Sequence, residues 1–252
     1  QLHDGRFTLY EQRASFLTPQ TLQVGDQVLE ADRFIIATGS SIRHVSIPGL
    51  DQAGYITSDE ALELREQPES MIVLGGGPIA AELAQFFQRI GTEVKLIQRS
   101  HHILSTGDED LARPVEERFC AEGMEVYTTT QLHKFTRDKD GPATAHFSQN
   151  GEEKTASGHV ILQALGRRPN TEGLDLDKAG VASNHGRIVV DSAMRTNQPH
   201  IYAVGDVNRE HEIVHIAVEQ GEIAAYNGTH PDRPEHRFDE RLNTLVVFTD
   251  PQ

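Results

Sequence analysis

Met71–Arg99 has the sequence MIVLGGGPIAAELAQFFQRIGTEVKLIQR, and its pattern is the clearest indication of the fold. Its first four residues are apolar and predict a buried strand, and the three glycines that follow predict a tight turn. Residues 79–90 have helical apolar spacing, with Gly91 as the stop. The side of this helix predicted to face the core consists of Ile79, Leu83, Phe86, Phe87 and Ile90. Because Glu93–Ile97 predicts a second strand, the stretch is a βαβ unit, which indicates an α/β fold.

The turn has the spacing Gly75-x-Gly77-x-x-Ala80. After a strand and before a helix, this spacing is typical of a dinucleotide-binding turn. The first glycine permits the turn, the second lets the backbone approach a pyrophosphate, and Ala80 allows close packing of helix on sheet. The predicted contacts are Gly75, Gly76, Gly77, Pro78, Ile79 and Ala80. The alternative is a βα turn without a ligand.

The second strand ends in Gln98 and Arg99, where nucleotide-binding units specific for NAD carry an acid that holds the ribose hydroxyls. A carboxylate repels a 2′-phosphate and a guanidinium attracts it. The sequence therefore favours NADP slightly over NAD. Two histidines, His101 and His102, could extend a phosphate pocket. The alternative is that these side chains are only solvated.

Further elements follow from the same patterns. Alternation in residues 7–30 predicts short strands with a hairpin turn at Gly25-Asp26. The remaining predictions are strands at 33–37, 71–74, 93–97, 124–128, 188–191, 201–204 and 244–248, helices at 57–65, 79–90, 108–122 and 214–226, a hairpin across 131–147 that turns at 138–141, and a return segment at 154–165.

Composition limits the function classes. The formal net charge of −15 makes nucleic acid a poor partner. No apolar run is long enough to cross a membrane, and the first residues do not have the pattern of a signal peptide. Cys120, the only cysteine, lies in a predicted helix and is expected to be a core thiol in a cytoplasmic protein. The abrupt ends suggest a piece of a longer chain.

Four motifs in order resemble the pyridine nucleotide-disulphide oxidoreductase family. They are FIIATGS at 34–40, IVLGGGPIAAELA at 72–84, ALGRRPN at 164–170 and HIYAVGDV at 200–207. The resemblance implies FAD and NAD(P) as cofactors. The NAD(P) contacts predicted above are the turn residues, Gln98 and Arg99. The resemblance implies four more NAD(P) contacts: Glu82, Ala164, Leu165 and Gly166. For FAD it implies Ala37, Thr38, Gly39, Gly205, Asp206, His215, Ile216 and Ala217.

The resemblance also implies an architecture. A Rossmann-like, three-layer NAD(P)-binding domain, 55–165, is inserted into a partial FAD-binding domain, 1–54 and 166–236, and 237–252 begins a truncated interface domain. The first FAD-binding βαβ unit and a CxxxxC pair are missing from the sequence. The expected activity is hydride transfer from NAD(P)H to flavin and on to an unidentified acceptor, as in mercuric reductase or dihydrolipoamide dehydrogenase. The full-length parent is expected to be a homodimer, and no catalytic residue is identified.

The sequence also allows other interpretations. The chain could be a truncated, non-catalytic module that binds NAD(P). His211-Glu212-Ile213-Val214-His215 spells HExxH, a zinc pattern when it lies on a helix, but a loop is expected there and no metal site is predicted. Asp138-Lys139-Asp140-Gly141 resembles part of a calcium loop, but Thr136 and Phe147 stand where that loop needs acids.

Overall fold

The computed structural model describes residues 7–139, 141–208, 212–242 and 244–252. The chain forms two compact units. The first unit runs up to Ser41 and resumes at Arg167–Thr244. The second unit comprises Ile42–Gly166 and Leu245–Gln252. In the sequence, the second unit therefore interrupts the first.

The strands are β1 (Ala14–Thr18), β2 (Thr21–Val24), β3 (Gln27–Glu30), β4 (Phe34–Ile36), β5 (Ser40–Ile42), β6 (Ser70–Leu74), β7 (Glu93–Ile97), β8 (Glu125–Tyr127), β9 (Thr130–Arg137), β10 (Ala143–Gln149), β11 (Glu152–Gly158), β12 (Val160–Gln163), β13 (Arg167–Pro169), β14 (Ser183–Asn184), β15 (Arg187–Ile188) and β16 (Ile201–Ala203). The helices are α1 (Leu50–Ala53), α2 (Ser58–Leu62), α3 (Pro78–Arg89), α4 (Glu109–Ala121), α5 (Leu176–Ala179) and α6 (Val214–Thr229). Short 3₁₀ turns cover Gly205–Val207 and Glu240–Leu242.

The second unit is built on a parallel sheet in the order β12-β6-β7-β8. Its central strand, β6, is buried along its whole length, as a continuous apolar run predicts. Leu74, at its carboxyl end, pairs with Ile97 on one side and Gln163 on the other. The glycine-rich turn therefore leaves the sheet beside the ends of both neighbouring strands.

Two further layers cover this sheet. One hydrophobic cluster joins it to α3 and α4 and includes Val73, Ala84 and Phe119. The other joins it to the antiparallel sheet β9-β10-β11 and includes Leu74 and Phe147. Helices, parallel sheet and antiparallel sheet make three layers, so the predicted α/β class and three-layer, Rossmann-like arrangement are confirmed.

The predicted buried side of α3 is confirmed for two of its five residues. Phe87 is buried and Leu83 packs against the core, whereas Ile79, Phe86 and Ile90 are 39–53% exposed. The buried side is lined by Ala80, Ala81, Ala84, Gln85 and Phe87. Small side chains let the helix axis come close to the sheet, so the alanines make the contact and the larger residues are displaced outward.

The first unit pairs β4 with β16 in parallel, Ile36 opposite Ala203. The meander β1-β2-β3 shares a core with these strands, with Phe16 packed edge-on against Phe34. A second cluster places Tyr202 and Val204 with Ile223 of α6. Strand β5 pairs with β13 in a separate two-stranded sheet.

Three more predictions need correction or refinement. Cys120 lies in a helix as expected, but its side chain is exposed and is not a core thiol. Residues 244–248 form no strand, because they have no strand partner in the described residues; Leu245 and Phe248 are largely exposed. The return segment at 154–165 contributes to two strands of different sheets, β11 and β12.

Candidate functional site

The glycine-rich turn brings three segments of the second unit together. Gly75 has a φ of +108°, which only glycine adopts readily. A Cβ at Gly75 would lie 2.4 Å from the backbone oxygen of Ala164, so the turn packs directly on the chain that continues from β12. The side chain of Leu165 lies 3.7 Å from the same Cβ position. The structure thus places the predicted residues Ala164 and Leu165 beside the turn.

The next part of the turn is open. The position of a Cβ at Gly77 has no atom within 4 Å, unlike the position at Gly75. Gly77 is also the N-cap of α3, no side chain caps this helix, and Pro78 at its first position has no N–H. The amides of Ile79 and Ala80 therefore have no intrahelical acceptor. Open space beside unpaired amides at a helix N-terminus fits a phosphate group.

Gln98 and Arg99 follow β7 at the same edge of the sheet. The side chain of Gln98 packs against Gly76 and accepts a hydrogen bond from the backbone N–H of Arg99 at 3.0 Å. Arg99 itself is exposed and forms no ion pair within the described parts of the chain. Its guanidinium is therefore available to an anion. His101 lies nearby in sequence and contacts the hydroxyl of Thr129.

Glu82 lies on α3 beside the carboxyl-terminal segment of the chain. Its carboxylate accepts a hydrogen bond from the backbone N–H of Phe248 at 2.9 Å. One turn further, Gln85 bonds the backbone of Asp250 as both donor and acceptor. Arg89 pairs with Asp250 and Glu122 at 2.6 Å each. Its guanidinium lowers the pKa of both carboxylates through these hydrogen bonds.

A second group of predicted residues lies in the first unit. Because β4 and β16 are parallel, their carboxyl ends deliver Thr38-Gly39 and Gly205-Asp206 to the same edge of the sheet. Gly39 and Gly205 have φ values of +68° and +70°. Asn170 holds the first of these loops. Its side-chain amide donates to the backbone oxygen of Thr38 at 2.9 Å, and its backbone N–H donates to Gly39.

Asp206 is held by a chain of polar contacts. The hydroxyl of Ser40 donates to Oδ2 of Asp206 at 2.7 Å, and Nε of Arg167 donates to the Ser40 hydroxyl at 2.7 Å. The other oxygen, Oδ1, has no hydrogen bond within the described residues and can accept from a hydroxyl. Sequence reasoning missed Ser40 and Arg167 as site residues, although both lie inside motifs that it quoted.

The start of α6 lies against the Gly205 turn. Ala217 is 3.3 Å from the position of a Cβ on Gly205, and the side-chain oxygen of Gln220 accepts the Gly205 N–H at 2.8 Å. No side chain caps α6. Its first amides, including those of His215 and Ile216, therefore present a partial positive charge that fits an anionic group. The side chain of Ile216 is buried, so only its backbone can serve a ligand.

The metal patterns are not supported. His211 and Asp140 lie outside the described residues, so neither the HExxH string nor the calcium-like loop can be traced in full. Among the residues that the structure does describe, no three His, Cys, Asp or Glu side chains are placed to share a metal ion. The same residues contain no helix long and apolar enough to cross a membrane.

Comparison with known proteins gives consistent results. The family model "Pyridine nucleotide-disulphide oxidoreductase" matches residues 1–221. A mercuric reductase of Staphylococcus aureus is 36% identical over 97% of this chain and 44% of its own length. A dihydrolipoyl dehydrogenase of Bacillus subtilis (strain 168) is 33% identical over 95% of this chain and 52% of its own. The chain thus spans about half the length of the curated relatives it matches.

A solved structure shares the fold. The HOCl-induced flavoprotein disulfide reductase RclA from Escherichia coli superposes with a TM-score of 0.83 and 24% sequence identity. The match covers 95% of this chain and 55% of that one.

Proposed function

The chain belongs to the pyridine nucleotide-disulphide oxidoreductase family, and on that premise we propose that it is the nucleotide-binding part of a flavin-dependent NAD(P)H oxidoreductase. The parent enzyme passes hydride from NAD(P)H to FAD and electrons on to an acceptor still to be identified. The observation that carries the proposal is the open, uncapped start of α3 after Gly77. Such a start binds phosphate through backbone amides.

For the nicotinamide dinucleotide, the proposed site comprises residues 75–80, Glu82, Gln98, Arg99 and residues 164–166. The amides of Ile79 and Ala80 hold the pyrophosphate, and Gly75 fixes the turn against Ala164. Arg99 has no carboxylate partner in the described chain, which supports a role in binding a 2′-phosphate. We therefore favour NADPH over NADH.

For the flavin, the proposed site comprises residues 37–39, 205–206 and 215–217. Ser40 and Arg167 orient the Asp206 carboxylate. Its free oxygen would accept a hydrogen bond from a ribityl hydroxyl of FAD. The first amides of α6 favour negative charge at the pyrimidine end of the ring system. FAD, when bound, supplies the hydride acceptance and onward electron transfer that amino-acid side chains cannot provide.

The proposal keeps the layout of an NAD(P) domain at 55–165 between pieces of an FAD domain at 1–54 and 166–236, followed by the start of an interface domain at 237–252. The separate cores of the two compact units support a division into an NAD(P) and an FAD domain. We also keep a homodimeric parent and a cytoplasmic location, to be checked by sedimentation of the full-length protein and by cell fractionation.

The test uses flavin absorbance. The chain is purified, incubated with FAD and freed of unbound ligand, and then mixed anaerobically with NADPH. Retained yellow colour that bleaches with NADPH supports the oxidoreductase. The Asp206→Asn variant, with the second unit unchanged, should retain less flavin while it still binds NADPH.

The same experiment tests the alternative function, a module that binds NAD(P) without turnover. A colourless chain that binds NADPH would assign it a binding role without turnover, which its partial coverage of the relatives makes a concrete alternative. A chain that binds neither cofactor at millimolar concentration would contradict both.

A further inference from the structure

A cavity of about 180 Å³ lies in the first unit, away from the residues assigned to cofactors. Its walls include Arg33, Arg195, Arg233, His230, Tyr202 and Glu235. Arg33 directly precedes the amino end of β4, whereas the proposed flavin loop follows the carboxyl end of the same strand. This part of the cavity wall therefore lies at the end of β4 opposite the loop of the proposed flavin site.

The walls of this cavity are basic in a chain whose net charge is −15. Three arginines line the cavity together with a single acidic residue, Glu235. Arg195 pairs with Glu235, which also accepts from Arg237 outside the cavity wall. Arg33 and Arg233 form no ion pair within the described residues. The cavity thus holds more positive charge than its own acid can balance.

One donor among the wall residues has no acceptor. Nε of Arg195 is buried and makes no hydrogen bond in the described structure. Tyr202, another wall residue, is only 3% exposed. Because a buried donor without an acceptor is destabilising, a ligand that offers an oxygen atom to Nε of Arg195 stabilises the fold.

We propose that this cavity binds a phosphate group, either free or as the phosphoryl end of a small metabolite. Guanidinium groups hold tetrahedral oxyanions through paired hydrogen bonds, and Arg33 and Arg233 are the two wall arginines without an ion pair. The volume of the cavity agrees with a ligand of this kind. Liquid water occupies about 30 Å³ per molecule, so a cavity of about 180 Å³ has room for one phosphoryl group with a short attachment. It is too small for a dinucleotide.

The experiment measures phosphate binding to the intact chain by calorimetry. The test variant is Arg33→Gln with Arg233→Gln, which removes the two unpaired cations. One control, Arg168→Gln, removes an exposed arginine of the same unit that pairs with Glu172. A second control, Arg99→Gln, removes the anion site proposed for NADPH. Glycerol phosphate is titrated beside inorganic phosphate to separate the two sources.

We expect the double variant to weaken phosphate binding in this cavity about tenfold or more. We expect both control variants to bind phosphate in the cavity as wild type does. Arg233→Lys alone should lie between wild type and double variant, because it keeps the charge and loses the paired geometry. Tighter binding of glycerol phosphate would assign a metabolite, and equal binding would assign free phosphate. The proposal is overturned if no binding survives in Arg99→Gln, or if the double variant binds as Arg168→Gln does.

Discussion

Asp206 is a carboxylate whose orientation is fixed by its neighbours. Ser40 donates to one of its oxygens and Arg167 donates to Ser40, so the carboxylate is held in one orientation with its other oxygen free. A side chain that is already fixed loses less entropy when it binds. In the proposed flavin site, affinity therefore depends also on Ser40 and Arg167, which do not need to touch the ligand.

Ser40→Ala removes the donor that orients Asp206. We expect the apparent Kd for FAD to rise about threefold to tenfold, and Asp206→Asn to raise it about tenfold, because a hydrogen bond to a charged group contributes about 1.5–3 kcal/mol. Flavin fluorescence quenching measures both. Ser41→Ala, at the neighbouring position, is the control. Equal flavin affinity in Ser40→Ala and wild type would contradict the orienting role.

Arg99→Gln tests cofactor preference. Loss of the unpaired guanidinium should raise the Kd for NADPH about tenfold and leave the Kd for NADH nearly unchanged, since only NADPH carries the 2′-phosphate. Fluorescence titration with each dinucleotide measures the difference. Arg118→Gln on α4 serves as a charge-matched control. A parallel loss for both dinucleotides would show that Arg99 does not select between them.

At the scale of elements, the turn between β6 and α3 contains glycines with different roles. Gly75 combines a positive φ with close contact to the Ala164 carbonyl. The fold itself therefore requires a glycine at this position. Gly77 has an ordinary φ of −76° and open space around it, so neither its backbone conformation nor its packing requires a glycine there. In the proposed site, Gly75 is therefore needed for folding and Gly77 for binding the dinucleotide.

A pair of substitutions separates these constraints. Gly75→Ala should destabilise the chain by more than about 1 kcal/mol, because it combines a strained φ with a backbone clash. Gly77→Ala should leave the melting temperature unchanged and raise the Kd for NADPH about tenfold, because the methyl group occupies the space beside the amides. Calorimetry and dinucleotide titration measure the two effects. A stability loss in Gly77→Ala comparable to that of Gly75→Ala would contradict this division.

Helix α3 also anchors the carboxyl-terminal segment through Arg89. Because Arg89 lowers the pKa of Glu122 and of Asp250 in the folded chain, its pairs contribute stability above the usual carboxyl pKa of about 4. That contribution is lost as the pH falls through the lowered values.

We expect Arg89→Gln to melt at a lower temperature than wild type at pH 7, and the two curves to converge as the pH falls below about 4. The effect should be small and weaker in high salt, since both ends of the Arg89–Asp250 pair are exposed. Arg113→Gln, which breaks an exposed pair with Glu109 on α4, is the control. A difference between the curves that persists unchanged at pH 2 would rule out this linkage.

At the scale of the whole molecule, the second unit has its own core. Its two hydrophobic clusters draw all their members from residues 47–165 and do not need the flanking pieces. The first unit is built from segments on both sides of this insertion, as β4 and β16 pair across 164 intervening residues. Loss of either segment would therefore disrupt the first unit more than the second.

We expect a polypeptide of residues 42–166 to fold cooperatively and to bind NADPH with an affinity close to that of the whole chain. Thermal unfolding and dinucleotide titration measure this, with Gly77→Ala in the same polypeptide as the control for specific binding. A fragment without a cooperative transition would mean that the unit depends on residues outside it, such as the segment that packs on α3.

The sequence alone determined the βαβ unit, its glycine turn and the order of the four motifs. These features are local, because apolar runs and glycine positions constrain neighbouring residues through sterics and burial. Tertiary structure decided which side of α3 faces the sheet, since the alanines set the closest approach and Ile79 and Phe86 are left outside. It also decided that 244–248 is not a strand and that Ser40 contacts Asp206, 166 residues away. Such contacts depend on how distant segments pack together, which no local pattern specifies.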